Sequence, residues 1–265
     1  MNALSTIKGI LFDLDGVLYV GSSAIEGAVQ AIDKIRASQI PCRFITNTST
    51  LSLVSLQKKI NALGFSIPAE EIISAPQAAL LYLKHQQDLT PQKDLACRLL
   101  LADDVKKDFK DIRQSDTTAD YIVIGDIGNA WSYQLLNELF NCLIGGTKLI
   151  AIHKNRFWQT ELGLQMDIGG FIEALEYASG AKAMIIGKPS TAFFQAALDD
   201  MGLSAGEVAI IGDDIDADVS GGQQAGLKGV LVKTGKYRQS YTESSTVKPD
   251  LIIDSIVDFP KVLGL

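Results

Sequence analysis

Short apolar runs of four to seven residues alternate along the chain with stretches whose apolar positions recur every three or four residues. This alternation predicts strands followed by amphipathic helices. "IKGILFD" reads as the first strand. In "AIEGAVQAIDKIRASQI", Ala28, Ile32 and Ile35 fall on one helical face, and "PCRFITN" follows as a second strand introduced by Pro41. The helix "SLVSLQKKINALGF" leads to a short strand in "EEIISA". From about Lys182 the same grammar resumes: strand and loop in "AMIIGKP", helix in "STAFFQAALDDMGL", strand in "EVAIIGDD", helix in "ADVSGGQQAGL" and strand in "KGVLVKTG". Such a succession specifies an α/β fold built on a doubly wound, mostly parallel sheet, a Rossmann-like core.

Residues 78–184 interrupt that core with strands of their own, "CRLLLAD", "DYIVIGD" and "TKLIAIH", and with the helices "WSYQLLNELFNCLI" and "IGGFIEALEYA". About 100 residues is a typical domain length, so this segment is expected to be an inserted α/β domain. The core is then 1–77 and 185–265. Its two connections, near Ala75-Pro76-Gln77 and Ile186-Gly187-Lys188, predict a lid that hinges over the host.

Composition narrows the setting. The chain has 265 residues, 47% of them hydrophobic, enough for a full core without staples. No apolar run approaches the roughly 18 residues of a membrane span, and a net charge of −7 without a Lys/Arg cluster argues against nucleic acid and acidic membranes as partners. The start "MNALSTIKGI" runs directly into the first strand, so a cytoplasmic protein is expected. Cys42, Cys97 and Cys142 are far apart and odd in number, which fits reduced thiols rather than a zinc or redox motif.

The chemistry sits at strand ends. Asp13 and Asp15, Thr46 and Asn47, Lys188, and Asp213 with Asp214 and Asp218 each follow a predicted host strand, and parallel strands deliver those ends to one edge of the sheet. Asp13, Asp15 and Asp213 supply hard oxygens without imidazole or thiolate, a set suited to Mg²⁺. Thr46, Asn47 and Lys188 suit the oxygens of a phosphoryl group. Asp13 is placed to attack phosphorus and Asp15 to protonate the leaving oxygen and then deprotonate water, with Gly16 permitting the sharp turn.

Each residue also has an ordinary reading. "DLDG" is common turn chemistry, Thr46 could cap a helix, and Lys188 could be a solvated loop charge. Asp214 reads as an outer or surface acid. "IGDIGN" imitates the metal-site pattern at Asp126 but lacks a paired Asp–x–Asp, so it reads as a strand leading to a helix. His85 and His153 lack a spaced second histidine and are not expected to bind metal.

Together, "DLDGVLY", "FITNTST", "GKPS" and "GDDIDAD" resemble, in order, the four motifs of the haloacid dehalogenase superfamily of Mg²⁺-dependent phosphohydrolases. The insert between the second and third motifs resembles the α/β cap of the NagD-like subfamily. The resemblance implies Asp13 as nucleophile, Asp15 as acid/base, and Thr46, Asn47 and Lys188 as phosphate ligands. It implies Mg²⁺ on the Asp13 and Asp213 side chains and the Asp15 carbonyl, with Asp218 supporting those ligands, and a homodimer formed through the cap. "LLLADDVKKDFKDI" departs from the pattern by lacking a glycine after its strand.

The expected function is hydrolysis of a small phosphorylated substrate through an aspartyl phosphate. Phosphomonoester, phosphoamide and pyrophosphate substrates all remain open. The rivals are a phosphomutase, a phosphorylation-driven switch and a non-catalytic scaffold.

Overall fold

The computed structural model describes residues 4, 6–160 and 163–265, apart from the side chains of 158–160 and 164. In chain order its principal elements begin with β1 (Gly9–Asp13), α1 (Ala28–Ala37), β2 (Cys42–Thr46), α2 (Leu53–Ala62), β3 (Ile72–Ser74) and α3 (Ala75–Leu89). Next come β4 (Ala96–Leu100), α4 (Asp103–Lys106), β5 (Arg113–Gln114), β6 (Tyr121–Ile124), α5 (Tyr133–Ile144), β7 (Lys148–Ala151), α6 (Gly169–Ser179) and β8 (Met184–Ile185). The last are α7 (Thr191–Met201), β9 (Val208–Gly212), α8 (Gly221–Gln224), β10 (Lys228–Val232) and β11 (Leu251–Ile253).

Two compact units result. The first comprises Met1–Thr46, Gln57–Ile73 and Lys188–Leu265, and the second Asn47–Leu56 and Ser74–Gly187. In the first, six strands run in the order β11-β10-β9-β1-β2-β3, and β1 pairs in parallel with β9 on one side and β2 on the other. This is the doubly wound α/β sheet read from the sequence. The strand order reverses between β1 and β9, the place where open α/β sheets bind ligands. Every residue of β1 and β9 is buried, as expected of central parallel strands covered on both faces, and Phe12 stacks on Phe44 with ring centroids 5.3 Å apart.

The second unit has its own parallel sheet, β8-β7-β6-β4-β5. Its apolar core joins Ile122, Ile124 and Leu149 of the sheet to Leu139 and Leu143 of α5 and Ile172 and Leu175 of α6. The segment Asn47–Leu56 belongs here because the amides of Ser52 and Leu53 donate to the carboxylates of Asp104 and Asp108 at 2.8 and 2.9 Å.

Three expectations are corrected. Met184–Ile185, read as a host strand, pairs instead with β7 of the second sheet, and the Ile186 and Gly187 amides extend that pairing to Ala151 and Ile152. Lys188 therefore follows a strand of the other sheet. The single helix expected in "ADVSGGQQAGL" is a π-helical turn over Ile215–Ser220 followed by α8. Helix α3, where only a connection was expected, starts from Ser74, whose hydroxyl accepts from Gln77 N, with Pro76 in its first turn.

A buried carboxylate braces the second unit. Glu176 accepts from Lys154 Nζ at 2.6 Å and from Ala183 N at 2.8 Å. Burial opposes its charge, yet these donors prevail and hold its pKa below the ordinary glutamate value. A depressed carboxylate stabilises the fold above its unfolded pKa, and that contribution disappears as pH falls through the folded one. Glu176→Gln is therefore expected to destabilise by about 1 kcal/mol at neutral pH, with the deficit closing on acidification below the ordinary glutamate range. Urea unfolding of both proteins across that range checks this.

Candidate active site

Asp13 closes β1, and Asp213 follows β9 beside it at the switch point. Their carboxylates and that of Asp218 are all buried, with one oxygen of each lying within 4.8 Å of the others. Among the described residues this is the cluster able to hold a metal ion. Lys188 Nζ, also buried, bridges Asp13 Oδ1 at 2.7 Å and Asp218 Oδ1 at 2.6 Å.

Local structure explains how three acids share so small a space. The π-helical turn carries a backbone bond from Val219 N to Asp214 O, and Asp214 caps the turn by accepting from Asp216 N and Ala217 N. Asp218 Oδ2 accepts from Asp214 N at 3.1 Å. Gly212 leaves room for it, since a Cβ there would lie 2.2 Å from Asp218 Cβ. Asp213 Oδ2 accepts from Lys236 N at 2.6 Å, in the loop after β10, and Thr234 Oγ1 in the same loop donates to Gly16 O.

The electrostatics are unbalanced. Burial pushes the Asp213 carboxyl well above its ordinary pKa, with the charges of Asp13 and Asp218 adding to the effect. Burial likewise raises Asp218 to about 7 although Lys188 opposes it. For Lys188 burial acts downward, but Asp13 and Asp218 outweigh it and raise its pKa. Among the described residues three buried acids face one buried ammonium, and Asp213 Oδ1 has no hydrogen-bond partner. An orphaned buried carboxylate oxygen within a cluster of hard oxygens fits a divalent cation.

The remaining expected residues lie as follows. Asp15 is exposed two residues beyond Asp13, and desolvation by the surrounding protein, followed by the charge of Asp13, raises its pKa. Thr46 is buried at the end of β2, whereas Asn47 belongs to the second unit. Asp214 is half-buried with Lys236 Nζ at 3.5 Å. Asp126 caps its own turn by accepting from Gly128 N at 2.7 Å. His153 is buried in the second unit with Nε2 3.4 Å from Ser49 Oγ, and it is not part of the acidic cluster.

Sequence reasoning missed the loop Thr234–Gly235–Lys236. The available signal was its position: it follows "KGVLV", a strand ending at the same edge as β1 and β9. Lys59 was also missed. Its Nζ lies 4.2 Å from the centroid of the Tyr19 ring, and both it and Lys236 act on Asp15.

Residues 10–112 match the family described as haloacid dehalogenase-like hydrolase, and residues 185–259 match the related HAD-hydrolase-like family. Haloacid dehalogenase-like hydrolase domain-containing protein 2 of Bos taurus is 39% identical over 249 residues, covering 94% of this chain and 93% of the relative. The chain belongs to the haloacid dehalogenase-like hydrolases. Another member, the phospholysine phosphohistidine inorganic pyrophosphate phosphatase of Homo sapiens, is 38% identical over 261 residues, covering 96% of this chain and 93% of its own. The solved p-nitrophenyl phosphatase from Archaeoglobus fulgidus superimposes with a TM-score of 0.87 at 26% identity, over 98% of this chain and 99% of that one. Within the family the chain is a phosphohydrolase.

Proposed function

We propose that this protein is a Mg²⁺-dependent phosphatase that hydrolyses a small phosphorylated compound through an aspartyl phosphate on Asp13. The observation that carries the reading is the buried set of Asp13, Asp213 and Asp218 around Lys188, with Asp213 Oδ1 unpartnered among the described residues. Asp13 and Asp213 side chains and the Asp15 carbonyl would hold Mg²⁺, which neutralises charge on the phosphoryl oxygens when bound.

The protein's own groups supply the rest. An Asp13 carboxylate oxygen attacks phosphorus as the bond to the leaving oxygen breaks, and Asp15 gives that oxygen its proton. Water then attacks the acyl phosphate and passes a proton to Asp15, releasing inorganic phosphate and restoring the Asp13 carboxylate. The raised pKa of Asp15 is in the direction a general acid requires. Lys188, fixed between Asp13 and Asp218, offers a phosphoryl oxygen a charged donor, and Thr46 and Asn47 offer neutral ones. Asp218 orients Lys188. The second unit acts as a cap that selects the leaving group, and the homodimer forms through it.

A panel of an aryl phosphate, a sugar phosphate, pyrophosphate and a phosphoamide, followed by free phosphate with Mg²⁺ and with chelator, tests the reading. Release that requires Mg²⁺ is expected for at least one member. Release that is indifferent to chelator, or an isomerised product in place of free phosphate, would contradict it.

A further inference from the structure

Two lysines flank the turn that holds Asp15: Lys59, whose ammonium lies over the Tyr19 ring, and Lys236, in the loop whose Thr234 hydroxyl donates to Gly16 O. Lys236 has a counter-ion, Asp214, at 3.5 Å. Lys59 makes no ion pair among the described residues; it is half-buried, with its charge over the face of Tyr19. Tyr19 in turn belongs to the tight turn that holds Asp15, because Gly16 N donates to Tyr19 O at 2.7 Å and Asp15 bridges to Tyr19. A cation in the last turn of a helix is favourable, which accounts for a lysine near the end of α2. That does not account for a half-buried ammonium placed against the Asp15 turn, which forms no ion pair within 4.0 Å with Asp15 or any other described carboxylate.

We propose that Lys59 and Lys236 form an anion subsite beside Asp15, and that the substrate's leaving group carries a second anionic group, a carboxylate or a phosphate. The inference rests on the phosphatase reading, in which Asp15 hands its proton to the leaving group. A leaving group bearing its own negative charge is repelled by Asp13 and Asp15, and two nearby ammonium groups offset that repulsion. Lys59 then acts in specificity rather than in bond cleavage.

The test pairs glycerol 3-phosphate, whose leaving group is neutral, with 3-phosphoglycerate and pyrophosphate, which present a carboxylate and a phosphate. Lys59→Gln keeps an aliphatic stem over Tyr19 and removes the charge. It is expected to raise KM for at least one of the two anionic members by about tenfold while leaving glycerol 3-phosphate within about twofold, and Lys59→Arg is expected to restore the difference. The member that responds identifies the group recognised. Calorimetric binding of methylenediphosphonate and methylphosphonate to the Mg²⁺-loaded protein reads the subsite without turnover, and Lys59→Gln should weaken only the former. An equal change for all ligands, or none, overturns the subsite while leaving the phosphatase reading intact. Absence of turnover from every phosphorylated compound overturns the phosphatase reading, and the binding pair then decides the subsite independently.

Discussion

Asp13→Asn is expected to abolish turnover, by at least about 10³-fold, and to leave a folded protein that melts a few degrees higher than wild type in chelator. The activity half follows from chemistry, since a carboxamide cannot form the acyl phosphate. The stability half follows from the charge pattern. Asp13 contributes to raising both Asp213 and Asp218, and in the metal-free protein it competes with Asp218 for one ammonium. Asparagine keeps an oxygen that can accept from Lys188 and removes one of the repelling charges, so that two buried acids rather than three face Lys188, with Asp218 as its ion-pair partner. A gain of about 1 kcal/mol corresponds to roughly 2–4 °C in a chain of this size. Phosphate release and thermal melts on the same preparations check both halves. Retained turnover would remove Asp13 as nucleophile. A lower melting temperature would mean that the attraction between Asp13 and Lys188 outweighs the repulsion among the acids. With Mg²⁺ the order is expected to invert, because the proposed cation loses a carboxylate ligand in the variant and so stabilises wild type more.

The parts of this site that were legible in the sequence are those encoded by side-chain type at a strand end. Asp13 and Asp213 lie on neighbouring central strands, and continuous apolar runs followed by acids announce both strand and edge. The fold class was legible for the same reason. Lys188 was legible as a residue but not by its route, because "AMIIGKP" carries no mark of which sheet it will join; a two-residue strand takes its partner from tertiary context. Helix α3 was hidden by Pro76, which reads as a break in a linear pattern and in the structure occupies the first turn, where its missing N–H costs nothing. The loop at 234–236 was hidden more deeply. Its bond to Asp213 comes from a backbone amide, a group every residue except proline possesses, so "KTGKY" shows no chemistry beyond that of a turn. Lys59 is one of two adjacent lysines on α2, and only the Tyr19 ring beneath its ammonium sets it apart from Lys58.

That silent loop leads to the second large effect. Gly235→Ala is expected to reduce kcat by about 100-fold or more and to destabilise the fold by about 1–3 kcal/mol. Gly235 has φ +56°, in the left-handed region, and a Cβ there would lie 2.0 Å from Asp213 Oδ2 and 2.5 Å from Gly16 Cα. Neither neighbour can yield easily. Gly16 is itself left-handed at φ +92°, and a Cβ on it would meet Asp213 Oδ2 at 1.9 Å. Asp213 is thus held in a slot walled by two glycines, with Lys236 N fixing one oxygen and the other without a hydrogen-bond partner among the described residues. Pushing the carboxylate out of that slot displaces a proposed metal ligand without changing any acid or base. The expected signature is therefore a weakened Mg²⁺ requirement curve, with kcat partly recovered at high Mg²⁺. Gly128→Ala serves as the control: it also has a left-handed φ, +55°, but no atom of the described residues lies within 4 Å of its added Cβ. It should share the backbone cost and spare the Mg²⁺ dependence, so that equal behaviour of the two variants would refute the slot.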